Sequence, residues 1–208
     1  MGIQDIYQAV MTYNKAKIAE LVQSEIDKGT DTSTILNEGL IAPLDEVGKG
    51  FSDGELFVPE MLAAAHAVKE GLELLRPHLV SAGAQPKGTI VIGTVKGDLH
   101  DIGKNIVAMM LAGAGFKVVD LGVDVEAEKF TSVANEVNAD IVAMCALLTT
   151  TMPALKTTVA LVKEKCGNMK TLIGGAPVTD AFTKKIGADG FGIDAPAAVA
   201  IARKFIPG

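Results

Sequence analysis

Residues 88–107, GTIVIGTVKGDLHDIGKNIV, switch hydrophobic period partway along, and that switch constrains the fold more than any other stretch. Thr89 to Val95 form an apolar run rich in Ile and Val, the composition of a strand buried on both faces. After Lys96-Gly97 the apolar positions recur at helical spacing, with Ile102, Ile106, Met109 and Met110 on one face. A loop that leaves a buried parallel strand and opens a helix lies at the carboxyl edge of the sheet, where open α/β folds bind ligands. That loop reads Asp98-Leu99-His100-Asp101-Ile102-Gly103. A histidine placed there, with a carboxylate two residues earlier, suits a metal ligand: the carboxylate accepts the second ring N–H and fixes which nitrogen stays free.

The chain before this stretch carries helical periods. Ile3, Ile6, Tyr7 and Val10 form one, Ile18, Leu21 and Val22 a second, and Ile35, Leu36, Leu40, Ile41, Leu44 and Val47 a third. Gly48, Gly50 and Gly54 interrupt the pattern, and Pro59 suits the start of a fourth helix, since its missing N–H has no partner there anyway. That helix carries Met61, Leu62, Ala65, Val68, Leu72 and Leu75 and is expected to end near Arg76-Pro77. Four helices with short connections predict an antiparallel bundle over residues 1–87, with SAGAQPK at 81–87 as linker.

Residues 88–208 alternate strand and helix. Further strands are expected at 117–121, 141–147, 171–173 and 190–193, with helices over 127–137, 152–162, 178–186 and 197–205. Five strands with helical crossovers predict an α/β domain, a doubly wound parallel sheet of flavodoxin-like order 2-1-3-4-5. No Gly-x-Gly-x-x-Gly begins it, which argues against a nicotinamide cofactor.

The net charge of −6 is concentrated in residues 1–88, where seven Lys and Arg face thirteen Asp and Glu; the remainder is neutral. An acidic segment is a poor nucleic-acid surface, because phosphate contacts need clustered Lys and Arg. No apolar run is long enough to span a bilayer, the N-terminus lacks a signal-peptide pattern, and two cysteines make no disulfide framework. A cytoplasmic protein with no membrane and no nucleic-acid partner is expected.

The Asp-x-His-x-x-Gly of residues 98–103 resembles the corrinoid-binding signature of cobalamin-dependent methyltransferases and mutases. Forty-one residues separate Gly103 from Cys145-Ala146-Leu147, which stands at the family's Ser-x-Leu, and twenty-eight separate Cys145 from Gly174-Gly175, at its glycine pair. Both spacings fit the methyltransferase branch. GELFVPEMLAAAHAVKEGLELLRP resembles the helical cap preceding the corrinoid domain in methionine synthase and in small corrinoid proteins of methanogens and acetogens.

The resemblance implies a bound cobalamin or related corrinoid, used as methylcobalamin and cob(I)alamin. Its dimethylbenzimidazole tail is expected detached from cobalt in a slot beside the sheet, with a histidine as lower ligand (base-off, His-on). By position, His100 is the expected cobalt ligand, Asp98 its hydrogen-bond partner, and Thr151 the hydroxyl that continues the relay. Thr151 equally suits a helix N-cap before Pro153. Leu99, Asp101, Ile102 and Leu147 belong to the same expected contact surface, and Gly103, Gly174 and Gly175 to the slot, where a missing Cβ admits close approach. Cys145 departs from the family's Ser, whose hydroxyl meets the nucleotide base; a thiol is a weaker donor, and Thr149 offers a hydroxyl nearby. Phe57, Met61 and Leu62 are expected over the methyl face of the corrin, or else in the bundle core. His66, His78 and Cys166 read as structural, and Lys96 and Lys104 as solvated lysines.

The implied role is a carrier, not catalytic alone, that takes a methyl group from a donor-specific methyltransferase and yields it to a second one, with a reductive activase restoring the cofactor. A mutase subunit shares the signature but has little use for a cap bundle. A cobalamin-sensing regulator needs a DNA-binding head, which the acidic first segment does not suit.

Overall fold

Each helical period of the first segment becomes a helix, and the caps set the boundaries. α1 spans Ile3–Met11, and α2, Lys15–Asp27, begins where Asn14 Oδ1 accepts the Lys17 N–H at 3.1 Å. Asp31 caps α3, Thr32–Thr34, by accepting the Thr34 N–H at 2.9 Å. The chain then widens into a π-helical segment, Ile35–Ile41, before α4, Ala42–Ser52. Pro43 supplies a reason, since it has no N–H to donate and its ring presses on the carbonyl four residues back, a crowding the wider turn relieves. α5 spans Val58–Ser81.

Two boundaries differ from the expectation. Gly48 and Gly50 lie inside α4, where the missing Cβ of Gly50 makes room for Leu56; the chain breaks only after Ser52, with Gly54 left-handed at φ +77. Pro77 lies within α5 and does not end it. Pro77 can donate no N–H to the carbonyl four residues back, yet the helix runs on to Ser81, whose Oγ donates to the Pro77 carbonyl at 2.8 Å.

The structure, a computed structural model, describes residues 2–81 and 86–207. It divides into two compact units, Met1–Pro86 with Ala112–Gly115, and Lys87–Leu111 with Phe116–Gly208. The expected linker falls largely on 82–85, outside the described residues. Ile6, Val10, Ile18, Leu21, Leu40, Leu44, Met61 and Leu75 are among the side chains that fill the core of the helical unit. No helix among the described residues is long and apolar enough to cross a membrane.

The second unit alternates β1 (Thr89–Thr94), α6 (Ile102–Gly113), β2 (Lys117–Asp120), α7 (Ala127–Glu136), β3 (Ile141–Cys145), α8 (Met152–Lys165), β4 (Lys170–Gly174), α9 (Asp180–Ile186), β5 (Gly190–Gly192) and α10 (Ala195–Phe205). All neighbours are parallel, in the expected order β2-β1-β3-β4-β5. β3 stops two residues short of the expected end, because the Ala146 N–H goes to the Gly174 carbonyl and the Leu147 N–H leaves the ladder for the Asp98 carboxylate.

Register and the period of two sort the side chains. Val91, Gly93 and Val95 face α7, and a Cβ on Gly93 would lie 2.8 Å from Phe130. The opposite face meets α6 and α10: Lys104 of α6 reaches Asp120 beside Ile92, and Cβ atoms on Gly190 and Gly192 would meet Ile201 and Ala198 of α10. On that face the last row across the sheet is Thr94, Cys145, Gly174 and Gly192. The row thins from threonine to nothing, and at its far end Ala198 of α10 packs against Gly192.

Gly175 holds the edge together. Its φ is +123, and a Cβ there would lie 2.0 Å from the Ala146 carbonyl oxygen. Gly175→Ala therefore forces the exits of β3 and β4 apart. It is expected to lower the unfolding free energy in urea by about 3 kcal/mol or more; a loss below about 1 kcal/mol contradicts this account of the edge.

Candidate functional site

The loop after β1 is tied down before His100 is reached. The Val95 N–H donates to the Cys145 carbonyl at 3.0 Å, and the Asp98 N–H to the Val95 carbonyl at 3.1 Å. Gly97 turns left-handed at φ +83, and its N–H donates to Asp124 Oδ1 at 2.8 Å. The Asp124 N–H in turn donates to the Asp98 carbonyl at 3.0 Å, so the loop after β2 clamps the loop after β1 from both ends. Asp124 itself adopts φ 54, a conformation that aspartate tolerates better than most side chains. This clamp lay outside the sequence expectations; its only trace there is an aspartate beyond Gly122.

Asp98 is the centre of the site, and its side chain is wholly buried. Oδ1 receives the His100 N–H at 3.1 Å and lies 2.7 Å from His100 Nδ1. Oδ2 receives the Leu147 N–H at 2.7 Å and stands 2.8 Å from the Thr151 hydroxyl. Burial by itself raises the carboxyl pKa, but these donors outweigh it and hold the group at about 2. A carboxylate only accepts, so the Nδ1 contact requires the proton on His100 Nδ1. The neutral ring then keeps its lone pair on Nε2, and the His100 side chain is 51% exposed. The pair is an outward-facing imidazole fixed by a buried carboxylate.

Thr151 resolves between its two expected uses. It occupies the N-cap position of α8, yet its side chain makes no capping bond. The hydroxyl has acceptors at Asp98 Oδ2 and at the Leu148 carbonyl, 2.9 Å away, and the charged oxygen is the stronger.

The remaining site residues divide by environment. Leu99 and Ile102 are 72% and 73% exposed, and Leu148 and Ile193, not anticipated, join them as large apolar side chains left in solvent after β3 and β5. Asp101 and Gly103 are exposed at the start of α6, Leu147 is half-buried, and a Cβ on Gly103 would meet nothing within 4 Å. Thr149 lies beyond the end of β3, in the turn before α8, and is exposed. Cys145 is half-buried, and burial pushes its thiol up to about 11. In the helical unit Met61 is buried in the core, Leu62 is half-buried and Phe57 is exposed just before α5; His66 and His78 are exposed on that helix. Lys96 is exposed, paired with Asp124 and Glu126. Lys104, expected in solvent, is instead buried: Nζ donates to Asp120 Oδ2 at 2.5 Å and Asn105 Oδ1 at 2.7 Å.

Two family profiles match this chain, each described as a B12 binding domain, one over residues 88–201 and the other over 3–76. The chain belongs to the B12-binding corrinoid proteins. It is 43% identical over 208 residues to dimethylamine corrinoid protein 1 of Methanosarcina acetivorans, covering 98% of this chain and 97% of that one. A corrinoid protein of Desulfitobacterium hafniense is 40% identical over 209 residues, covering 98% and 97%. Among solved structures, the methanol:cobalamin methyltransferase complex of Methanosarcina barkeri superposes with a TM-score of 0.86 at 31% identity, covering 99% of this chain and 80% of that one.

Replacing Asp98 tests the electrostatics. In Asp98→Asn one oxygen becomes an N–H donor facing other donors, so near neutral pH a stability loss of about 2–3 kcal/mol is expected. The carboxyl pKa is depressed on folding, so its contribution is complete above about pH 4 and lost as pH falls through about 2. The gap between wild type and variant in urea denaturation should close over that window; a constant gap contradicts the assignment.

Proposed function

We propose that this protein carries a methyl group on a corrinoid between a donor-specific methyltransferase and a second methyltransferase that passes it to an acceptor, with a reductive activase keeping the cofactor serviceable. The observation that carries the reading is the His100 ring, held half-exposed at the carboxyl edge by a buried, ionised Asp98. Among the described residues no three His, Cys, Asp or Glu side chains gather as a metal site. A single imidazole holds a bare ion weakly, but it suits a metal whose other positions a macrocycle already fills. The open space beside Gly103 suits the second demand, a slot for a detached nucleotide tail.

When bound, the cobalt of the corrinoid supplies the methyl-accepting and methyl-releasing chemistry. The chain's own part is to bind, orient and poise. His100 Nε2 would hold the cobalt from below, base-off and His-on, with the cofactor's own base detached. Asp98 keeps the ring proton on Nδ1 and turns the ring outward, and Thr151 donates to the other oxygen of Asp98, so a change of charge on the imidazole is felt along a line of three side chains. Leu99 and Ile102 cover part of the macrocycle, and Asp101, Leu147, Thr149 and Gly175 border it.

The methyl donor is selected by the partner and not by this chain. One relative, 43% identical, carries dimethylamine in its name and another, 31% identical, carries methanol, and what they share with this chain is the corrinoid module. On its own the protein should turn over neither methylamines nor methanol.

Gly103→Ala separates folding from this function. A Cβ there meets no protein atom, and alanine favours a helix, so the unfolding free energy of the apo-protein should stay within about 1 kcal/mol of wild type. Binding of hydroxocobalamin, followed by its absorption spectrum, should weaken about tenfold or more, because the methyl group occupies the slot. Unchanged affinity would remove Gly103 from the slot.

A further inference from the structure

The carboxyl-edge row bears on which corrinoids this protein accepts. Thr94 is fully buried, and its single hydroxyl proton has a carbonyl acceptor, His100 O, at 2.8 Å. Cys145 Sγ lies 3.3 Å from the same hydroxyl oxygen. With the hydroxyl proton committed to the carbonyl, the thiol is the donor in that contact. Its alternative acceptor, the Gly93 carbonyl at 3.7 Å, also lies within the sheet. Either way the S–H turns inward, and what the thiol leaves for a ligand is bare sulfur, a weak acceptor. Burial keeps the thiol protonated, so no anion forms there. Along the row Gly174 and Gly192 add no side chain, and the nearby ammonium of Lys104 is sealed from solvent and engaged by Asp120 and Asn105. No side chain of the row presents a hydrogen-bond donor to a ligand, and the Thr149 hydroxyl lies outside the row, in the exposed turn before α8.

We propose that Cys145, held by Thr94, makes the slot indifferent to the hydrogen-bonding character of the corrinoid's lower base, so that cobamides with a phenolic base bind as well as those with a benzimidazole. A detached benzimidazole carries a ring-nitrogen acceptor and a phenolic base carries none; a floor without a donor treats them alike and selects by shape and apolar burial. This rests on the tail-slot reading given above. Thr94 also ties the slot floor to the main chain of His100, so the two ends of the ligand site share one buried hydroxyl.

The test is a set of dissociation constants for cobalamin, a phenolyl cobamide and cobinamide, which lacks the tail. They are measured on the wild type, Cys145→Ser and Cys145→Ala. Wild type and Cys145→Ala should bind the two complete cobamides within about threefold of each other, and cobinamide more weakly. Cys145→Ser introduces a stronger donor and should shift the ratio about fivefold toward cobalamin, the worth of one neutral hydrogen bond. A wild-type preference for cobalamin of about tenfold that vanishes in Cys145→Ala would overturn the proposal, since the thiol would then be donating to the base. A Ser variant as indifferent as the wild type would also overturn it. Cobinamide bound as tightly as either complete cobamide would overturn it together with the tail-slot reading, which distinguishes the two failures.

Discussion

One buried carboxylate organises the carboxyl edge of the sheet. Asp98 collects donors from its own loop, from the exit of β3 at Leu147 and from the start of α8 at Thr151. A charge removed from water is costly unless its acceptor sites are filled, so the three segments are held together by the requirement of a single side chain. The His100 ring is the fourth donor, and its side chain is half-exposed. Its orientation is therefore set by the same interaction that closes the edge, and a change at His100 bears directly on the group that fixes the loop.

The periodicities carried most of the fold. The strand order and the helical first segment follow from the switch between period two and period 3.6, and from crossovers long enough for parallel pairing. What the pattern missed were places where tertiary needs override local preference. Gly50 reads as a breaker and sits in a helix because Leu56 occupies the space a Cβ would take. Pro77 reads as a terminator and is passed by, close to an exposed helix end. At the site, Asp98, His100 and Gly103 were legible because a loop motif keeps its spacing along the chain. Thr94, Asp124 and the Lys104–Asp120 pair were not, since each gains its role from a partner distant in sequence, and a lysine or threonine by itself carries no sign of one.

The edge also shows where folding stability has been left unused. Leu99, Ile102, Leu148 and Ile193 hold large apolar surfaces in water, although burying such a side chain is worth about 1.5–3 kcal/mol. On the function proposed above, a bound corrinoid would supply the missing apolar cover. Binding of this ligand should consequently raise the stability of the second unit, by mass action and by completing its core.

The central claim is that His100 becomes the axial ligand, presented by Asp98. Electron paramagnetic resonance of the Co(II) form, prepared with ordinary protein and with protein labelled with nitrogen-15 in histidine alone, tests it most directly. The account predicts that the nitrogen superhyperfine lines change from triplets to doublets on labelling, and that both patterns disappear in His100→Ala. Triplets that persist in the labelled protein would mean that the cofactor's own base, and not His100, occupies the axial position.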